Sequence, residues 1–309
     1  MSSVPTVLIV VTATFVGGLL LDTRSPVAAA ATPLAPLTLE QRDAEGNVTL
    51  RAIPLAEALV VDGRLDEPTY EEVEPAGNFV QQEPIEGAAA TEQTEAWILY
   101  DDDNLYVSAR LWDSAPERMV ANELRRDHRN IRDNESFAVV LDTFHDRRNG
   151  FFFQTNALGA LRDGLITDER NANFDWNTVW DVRTGEFENG WTLEMVIPFK
   201  SLRFRGQGDQ VWGINLHRFV RWKNEHSFVN PVPASYGEEG IYRMSSAGTL
   251  VDLRLQTGSR TLEIKPYGIS SVSTDVTVTP DLTNDFDAEG GLDAKYNLTK
   301  GLTADFTYN

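Results

Sequence analysis

The sequence contains no cysteine among its 309 residues. Without thiols the chain can form no disulfide framework, no zinc–thiolate site and no thiol nucleophile. Basic residues are also scarce: 27 Lys and Arg are outnumbered by 47 Asp and Glu, which gives a formal charge of -20 and a pI near 4.5. This balance argues against a nucleic-acid partner, because phosphate contacts need clustered basic side chains.

Motifs of the common hydrolases are missing as well. The sequence has no Gly-x-Ser-x-Gly nucleophile elbow, and its four histidines form no His-Glu-x-x-His zinc motif. Glycoside hydrolysis needs two carboxylates about 5–9.5 Å apart across a cleft. Among 47 acidic residues many pairs could be chosen, so the residues by themselves support no catalytic activity.

The first 31 residues have the pattern of a cleaved signal peptide, although residues 1–6 carry no basic side chain. Residues 7–21 are apolar and uncharged, and the small residues 27–31 offer cleavage sites. A membrane anchor is the alternative, but this apolar run is shorter than the roughly 20 residues that a span needs. Residues 32–52 are rich in Pro, Ala and acids without periodicity, and we predict a linker there.

Residues 53–255 consist of short β-type segments separated by turns. Three hairpins are clearest, at residues 97–112, 137–155 and 179–197. The last contains Asn189-Gly190, a strong hairpin signal, and Pro198 marks the end of its second strand because proline cannot donate to a ladder. Many short strands with a turn every ten or so residues predict an all-β, antiparallel sandwich.

The tail from residue 261 has a different pattern. In residues 292–296 and 302–308, apolar residues alternate with charged or hydroxyl ones, and a turn at 297–301 joins the two segments. This alternation is typical of a hairpin in an outer-membrane β-barrel; an edge hairpin of a sandwich with one wet face is the alternative. Two or three strands cannot close a barrel, so on the barrel interpretation the chain is a fragment.

Several segments resemble known proteins in a shared order. Residues 62–68 (DGRLDEP), with Tyr70 at the aromatic position, resemble the opening motif of family-nine carbohydrate-binding modules. Similar matches follow at residues 96–107, 140–144 and 194–199. The sequence is closer still to a bacterial outer-membrane family that joins such a module to a C-terminal barrel of unknown function, as seen at residues 125–127, 156–159 and 291–309.

This resemblance implies a jelly-roll-like module at residues 53–255 that binds a polysaccharide or oligosaccharide. It also implies that residues 261–309 are the first strands of an outer-membrane barrel, with the chain exported to the periplasm or outer membrane of a Gram-negative-type bacterium. A role in carbohydrate catabolism would follow. Two alternatives remain open: a periplasmic plug or assembly domain without a sugar site, and a xylanase-type glycoside hydrolase acting on O-glycosyl bonds.

Sugar-binding modules stack flat aromatic rings on pyranose faces and use polar side chains for the hydroxyl groups. Trp112 shares a predicted strand face with Tyr106 and Arg110, which suits a binding platform. Trp176 lies in the polar loop 171–177, and Trp180 follows it at a strand start. The predicted carbohydrate-binding residues are therefore Trp112, Trp176, Trp180, Tyr106 and Arg110, with core packing as the alternative for each Trp. Three further tryptophans lie within strand runs and are predicted core: Trp97, Trp191 and Trp212.

Acidic residues near turns could supply oxygen ligands to a structural calcium ion, which the resembled modules can hold. The candidates are Asp142, Asp146, Asp163, Asp168 and Asp175. No twelve-residue calcium-loop pattern organises them, so solvated turn acids are the alternative.

Overall fold

The computed structural model describes residues 37–255, 262–275, 282–299 and 302–308. The predicted signal peptide lies outside these ranges. Within them, no helix is long and apolar enough to cross a membrane. One short α-helix, α1 (Thr69–Glu72), is present, with 3-10 turns at Pro116–Arg118, Arg129–Asp133, Phe199–Ser201, Arg221–Lys223, Ala234–Tyr242 and Met244–Ser246.

Strands make up most of the described chain. The first ten are β1 (Leu37–Thr38), β2 (Glu40–Arg42), β3 (Val48–Arg51), β4 (Ile53–Pro54), β5 (Val73–Glu74), β6 (Val80–Glu83), β7 (Thr94–Tyr100), β8 (Asn104–Trp112), β9 (Ser136–Asp142) and β10 (Gly150–Asn156). The next seven are β11 (Arg162–Thr167), β12 (Asn171–Asn173), β13 (Asp181–Phe187), β14 (Gly190–Pro198), β15 (Gly208–Val220), β16 (Glu225–Phe228) and β17 (Gly248–Leu255). The last three are β18 (Leu262–Asp275), β19 (Leu282–Thr299) and β20 (Leu302–Tyr308).

Two sheets form the predicted sandwich. The larger sheet has the order β12-β11-β10-β9-β15-β17-β3-β2, and β16 pairs with both β15 and β6. The smaller sheet has the order β13-β14-β8-β7-β4. Most neighbouring strands are antiparallel, but β3 pairs with β17 and β4 with β7 in parallel. The remaining two-stranded pair, β1 with β5, is also parallel.

All three predicted hairpins are confirmed: β7 pairs with β8, β9 with β10, and β13 with β14. The last hairpin depends on the glycine of its turn. Gly190 has φ +149°, and a Cβ at this position would lie 2.0 Å from the carbonyl oxygen of Leu111 on β8. Any side chain at residue 190 would therefore force β14 and β8 apart.

The main core lies between the two sheets. One face of β8 contributes its apolar residues to this core, as the alternation predicted: Leu105, Val107, Ala109 and Leu111. Trp191 and Trp212 are buried in the same core, also as predicted. Trp97 is equally buried but faces the other side of the smaller sheet, where it packs edge-on against Tyr70 with centroids 5.2 Å apart.

The predicted linker is wrong for residues 37–52, because two strands of the larger sheet lie there. β2 and β3 form a hairpin around Gly46, and β3 adds to the sheet by parallel pairing with β17. Val48 and Leu50 are fully buried in the main core. The partner strand is about 200 residues away in sequence, so no local pattern could reveal the pairing.

The tail forms a separate three-stranded antiparallel sheet, β18-β19-β20. The alternating segments predicted there are confirmed as strands, although β19 is longer than expected and continues through the start of the predicted turn to Thr299. Opposite partners such as Val272 and Phe286, or Ala294 and Phe306, bring apolar residues to one face. The Val272, Phe286 and Phe306 side chains on this face are all well exposed.

Candidate functional site

A concave site lies on the outer face of the larger sheet. Strand alternation sends Phe137 and Val139 of β9 into the main core and leaves Ala138 and Val140 on this outer face. The segment after β16 folds over the face and closes one side of a cleft of about 150 Å³. Since one water needs about 10–15 Å³ of such volume, the cleft has room for a small polar molecule.

Hydrogen bonds and apolar contacts hold the covering segment in place. The side-chain amide of Gln82 on β6 donates to the backbone carbonyls of Pro233 (3.1 Å) and Gly237 (3.0 Å). Ile241 and Met244 insert against Val140 and Phe152 in a second apolar cluster. The wall of the cleft is therefore anchored to the sheet at both its polar and its apolar contacts.

Three aromatic rings form the apolar part of the cleft. Phe152 projects from β10, Phe174 follows β12, and Tyr242 ends the covering segment. Their centroids are 5.4 Å (Phe152–Tyr242), 5.8 Å (Phe152–Phe174) and 6.0 Å (Phe174–Tyr242) apart, in edge-to-face geometry. Edge-to-face packing fixes the rings relative to one another and offers apolar surface to a ligand.

Polar groups line the sheet beside these rings. The buried guanidinium of Arg162 donates through Nη1 to Oε1 of Gln154 at 2.9 Å, and the Gln154 amide donates to Ser136 Oγ at 3.3 Å. His217 Nε2 and His226 Nδ1 are 3.0 Å apart, so one donates to the other. Burial lowers the pKa of both histidines, that of His226 to about 4, so the pair is uncharged at neutral pH.

Charged side chains surround the mouth of the cleft. Arg132 and Arg170 are exposed there, as are two consecutive acids of the covering segment, Glu238 and Glu239. Arg132 Nη1 lies 3.7 Å from Glu238 Oε2 across the opening. The two acids are neighbours on one segment, whereas hydrolysis of a glycosidic bond needs carboxylates on both sides of that bond.

The predicted binding residues fall into two groups outside this cleft. Tyr106, Arg110 and Trp112 lie on the outer face of the smaller sheet. Tyr106 is buried and donates to Asp101 Oδ2 at 2.6 Å, and Arg110 pairs with Glu95 at 2.9 Å. Trp112 is half-buried and packs edge-on against Phe187 at 4.9 Å.

Trp176 and Trp180 form the other group, at the end of the main core. Both pack against Phe153, with centroids 6.4 and 5.2 Å away. Trp180 is buried and its indole N–H donates to Asp163 at 3.0 Å, while Trp176 is half-buried. Neither Tyr106 nor Trp180 presents a free ring face, so Trp112 and Trp176 are the aromatic residues for which stacking remains a prediction.

The candidate calcium ligands are spread over several hydrogen-bonded turns. Asp142 accepts from the backbone N–H groups of Asp146 and Arg147, and Asp163 accepts from Thr178 and Trp180. Among the residues that the structure describes, no three His, Asp or Glu side chains are grouped to hold a metal ion. Calcium binding remains a prediction without a located site.

Sequence reasoning missed the residues that line the cleft. The signal was available in part, since Gln154, Arg162 and His217 are polar residues on strands whose neighbouring positions fill the main core. A buried polar residue on the outer face of a strand indicates a covered or functional surface. What covers that surface, the segment after β16, could not be read from the strand pattern.

No protein-family model and no curated protein matches the chain. Solved structures similar to it include a protein from Bacteroides uniformis, provisionally described as carbohydrate-binding, with a TM-score of 0.54 and 12% identity over 66% of this chain and 98% of that one. Two others are structures of a family-nine carbohydrate-binding module from Caldicellulosiruptor kristjanssonii. The complex with glucose has a TM-score of 0.44 and 16% identity over 68% of this chain and 96% of that one. The complex with cellotriose has the same score and identity over 67% and 93%. Residues 37–255 of the present chain form an all-β sandwich, and this is the fold that the chain shares with the Bacteroides protein.

Proposed function

We propose that the sandwich binds a saccharide in the cleft on the outer face of its larger sheet. The observation that carries this proposal is the pairing of an aromatic cluster with planar hydrogen-bonding groups in one cavity: Phe152, Phe174 and Tyr242 beside Arg162 and Gln154. A pyranose ring has the matching chemistry, with C–H groups on its faces and hydroxyl groups around its edge.

The sheet formed by β18, β19 and β20 supports a second part of the proposal, attachment to the outer membrane. Phe286 and Phe306 are exposed on one face, and apolar residues alternate with charged or hydroxyl ones along these strands. Alternating apolar and polar faces on long strands are the pattern of a barrel wall in a bilayer. We propose that the chain is exported and presents the saccharide site from that membrane, in carbohydrate catabolism.

One observation favours the plug or assembly domain instead. On that interpretation Trp176 packs against its own sandwich, and Trp176 does lie 5.3 Å from Phe151 in the main core. A measured saccharide affinity would distinguish the two functions, because a plug domain has no need of one.

The test is titration of the full chain with soluble polysaccharides and oligosaccharides, followed by tryptophan fluorescence and calorimetry. We expect Phe174→Ala to weaken binding about tenfold, equivalent to about 1.4 kcal/mol, because it removes one wall of the aromatic cluster. Trp112→Ala and Trp176→Ala test the two tryptophans predicted from the sequence to stack on sugar; if the saccharide binds in the cleft, both variants should keep an affinity near that of the wild type. Urea unfolding of each variant establishes that it remains folded.

Each other outcome has a distinct meaning. If Trp112→Ala or Trp176→Ala abolishes binding while Phe174→Ala does not, the site is one of the tryptophan surfaces and the cleft is not the binding site. If the folded wild-type chain binds none of the saccharides, the plug or assembly function replaces carbohydrate binding.

A further inference from the structure

Arg162 differs from the other arginine that is almost fully buried in the sandwich. Arg218 on β15 is surrounded by carboxylates, and the charges of Glu135, Asp113, Glu92 and Glu225 all act on it. Arg162 is 5% exposed, yet no carboxylate of the described residues forms an ion pair with it. A buried cation normally has a paired anion, because removing it from water is otherwise costly.

The groups that contact Arg162 directly are uncharged, and one of them is the side chain of Tyr242, with which Arg162 forms a hydrogen bond. Its guanidinium lies 3.9 Å from the ring centroid of Phe174 and 5.6 Å from that of Phe152, and its hydrogen bond to Gln154 is to an uncharged amide. Its Nε–H is buried and has no acceptor among the described residues. The guanidinium is therefore fixed in position by the rings while part of its hydrogen-bonding capacity is unused.

Two further arginines, Arg132 and Arg170, line the same opening, together with the acids Glu238 and Glu239 of the covering segment. Glu238 already lies opposite Arg132 at 3.7 Å, and the charge of Asp127 acts on Arg162 without forming an ion pair with it. In a chain with a formal charge of -20, three arginines in one cleft are not a consequence of overall composition. A planar guanidinium is the side chain best shaped to bind a carboxylate through two parallel hydrogen bonds.

From this geometry we propose that the saccharide bound in the cleft is acidic, and that Arg162 binds the carboxylate of a uronic-acid residue. The inference rests on the proposed function, since it names the ligand class of the same site. The sugar ring packs against Phe174 and Tyr242, and its carboxylate supplies the anion that Arg162 lacks in the protein. Arg132 and Arg170 contribute at longer range by attracting the anionic ligand to the opening.

The test compares tri-galacturonic acid with its methyl ester, which has the same sugar chain but a methyl group in place of each negative charge, titrated against the full chain at pH 7. We expect the acid to bind at least tenfold more tightly, and the difference to shrink as salt concentration rises. Arg162→Gln should remove most of the preference for the acid while leaving weak binding of the ester. Arg254→Gln, which alters an exposed arginine on β17, is the matched control and should keep the preference.

The outcomes separate this inference from the proposed function. Equal binding of acid and ester by the wild type overturns the acidic ligand class and leaves saccharide binding intact. Binding of neither ligand, together with no binding of neutral polysaccharides, overturns the proposed function itself. If Arg162→Gln does not fold, Arg132→Gln at the exposed mouth is used in its place. A loss of acid preference smaller than that expected for Arg162→Gln supports the inference. An unchanged preference contradicts it.

Discussion

Glu194→Ala is expected to lower the free energy of unfolding by about 3–5 kcal/mol, because it leaves several buried donors without an acceptor. Glu194 is fully buried on β14. Its carboxylate accepts hydrogen bonds from the backbone N–H groups of Asp62 (3.0 Å) and Gly63 (2.9 Å) and from the hydroxyl of Tyr70 (2.8 Å). Burial raises the pKa of Glu194, and the hydrogen bonds from Gly63 and Tyr70 oppose that shift.

These contacts give the opening motif of the module a structural role. Gly63 has φ +88°, and a Cβ there would lie 2.7 Å from the backbone of Thr184 on β13. Thr192 on β14 also donates to the carbonyl of Gly63 at 2.6 Å. The segment containing Asp62, Gly63 and Tyr70 is thereby fastened to the smaller sheet, and loss of Glu194 releases it.

Urea unfolding followed by tryptophan fluorescence measures the effect of Glu194→Ala. Glu188→Ala, in the exposed turn between β13 and β14, is the control and should change stability by less than about 0.5 kcal/mol. Glu194→Gln keeps one acceptor oxygen and should fall between the two. A loss below about 1 kcal/mol for Glu194→Ala would show that water or rearranged side chains satisfy the freed donors.

Glu135→Gln is expected to change the dependence of stability on pH. Burial raises the pKa of Glu135 from 4.5 to about 7, although the charge of Arg218 opposes the shift. One carboxylate oxygen accepts from the backbone N–H of Arg221 at 2.8 Å, while the other is buried without a partner among the described residues. The folded chain therefore holds a proton on Glu135 that the unfolded chain releases between pH 4.5 and pH 7.

The sign of this effect follows from proton linkage. The stability that protonated Glu135 contributes is fully present below pH 4.5 and is lost as the pH rises to about 7. The corresponding change in the free energy of unfolding is about 3 kcal/mol. His226 acts in the opposite direction, because burial lowers its pKa from 6.5 to about 4 and the folded state loses stability as pH falls through that interval. In the wild type, the opposite effects of Glu135 and His226 on the pH dependence of stability partly cancel.

Unfolding free energies of the wild type and Glu135→Gln, measured at pH 4.5 and pH 7.5, isolate the contribution of Glu135. Since His226 is present in both proteins, its contribution cancels in the difference between them. The wild type should lose about 3 kcal/mol relative to the variant on going from the lower to the higher pH. An identical pH dependence for the two proteins would mean that Glu135 ionises normally in the folded state.

The sequence by itself determined the hairpins of the sandwich and the all-β class of the fold. Hairpins such as β13–β14 are encoded locally, by Asn189-Gly190 between two β-forming runs, and the faces of β8 follow from a side-chain period of two. The alternation that predicts strands β19 and β20 is local in the same way. These features depend on residues a few positions apart, and such interactions can be read along the chain.

Only the tertiary structure decided which face became the candidate site. The cleft brings together Phe152, Arg162, Phe174 and Tyr242, which come from two paired strands, the segment after β12 and the end of a loop that returns across the sheet. Strand alternation can predict that Arg162 and Gln154 share an outer face, but it cannot predict that a loop 80 residues later in the chain covers them. The physical reason is that the pairing of distant strands and the packing of loops on sheets depend on the shape and burial of the whole module. Aromatic residues such as Trp112 and Trp176, in turn, have the same local sequence pattern whether they bind a ligand or fill a core.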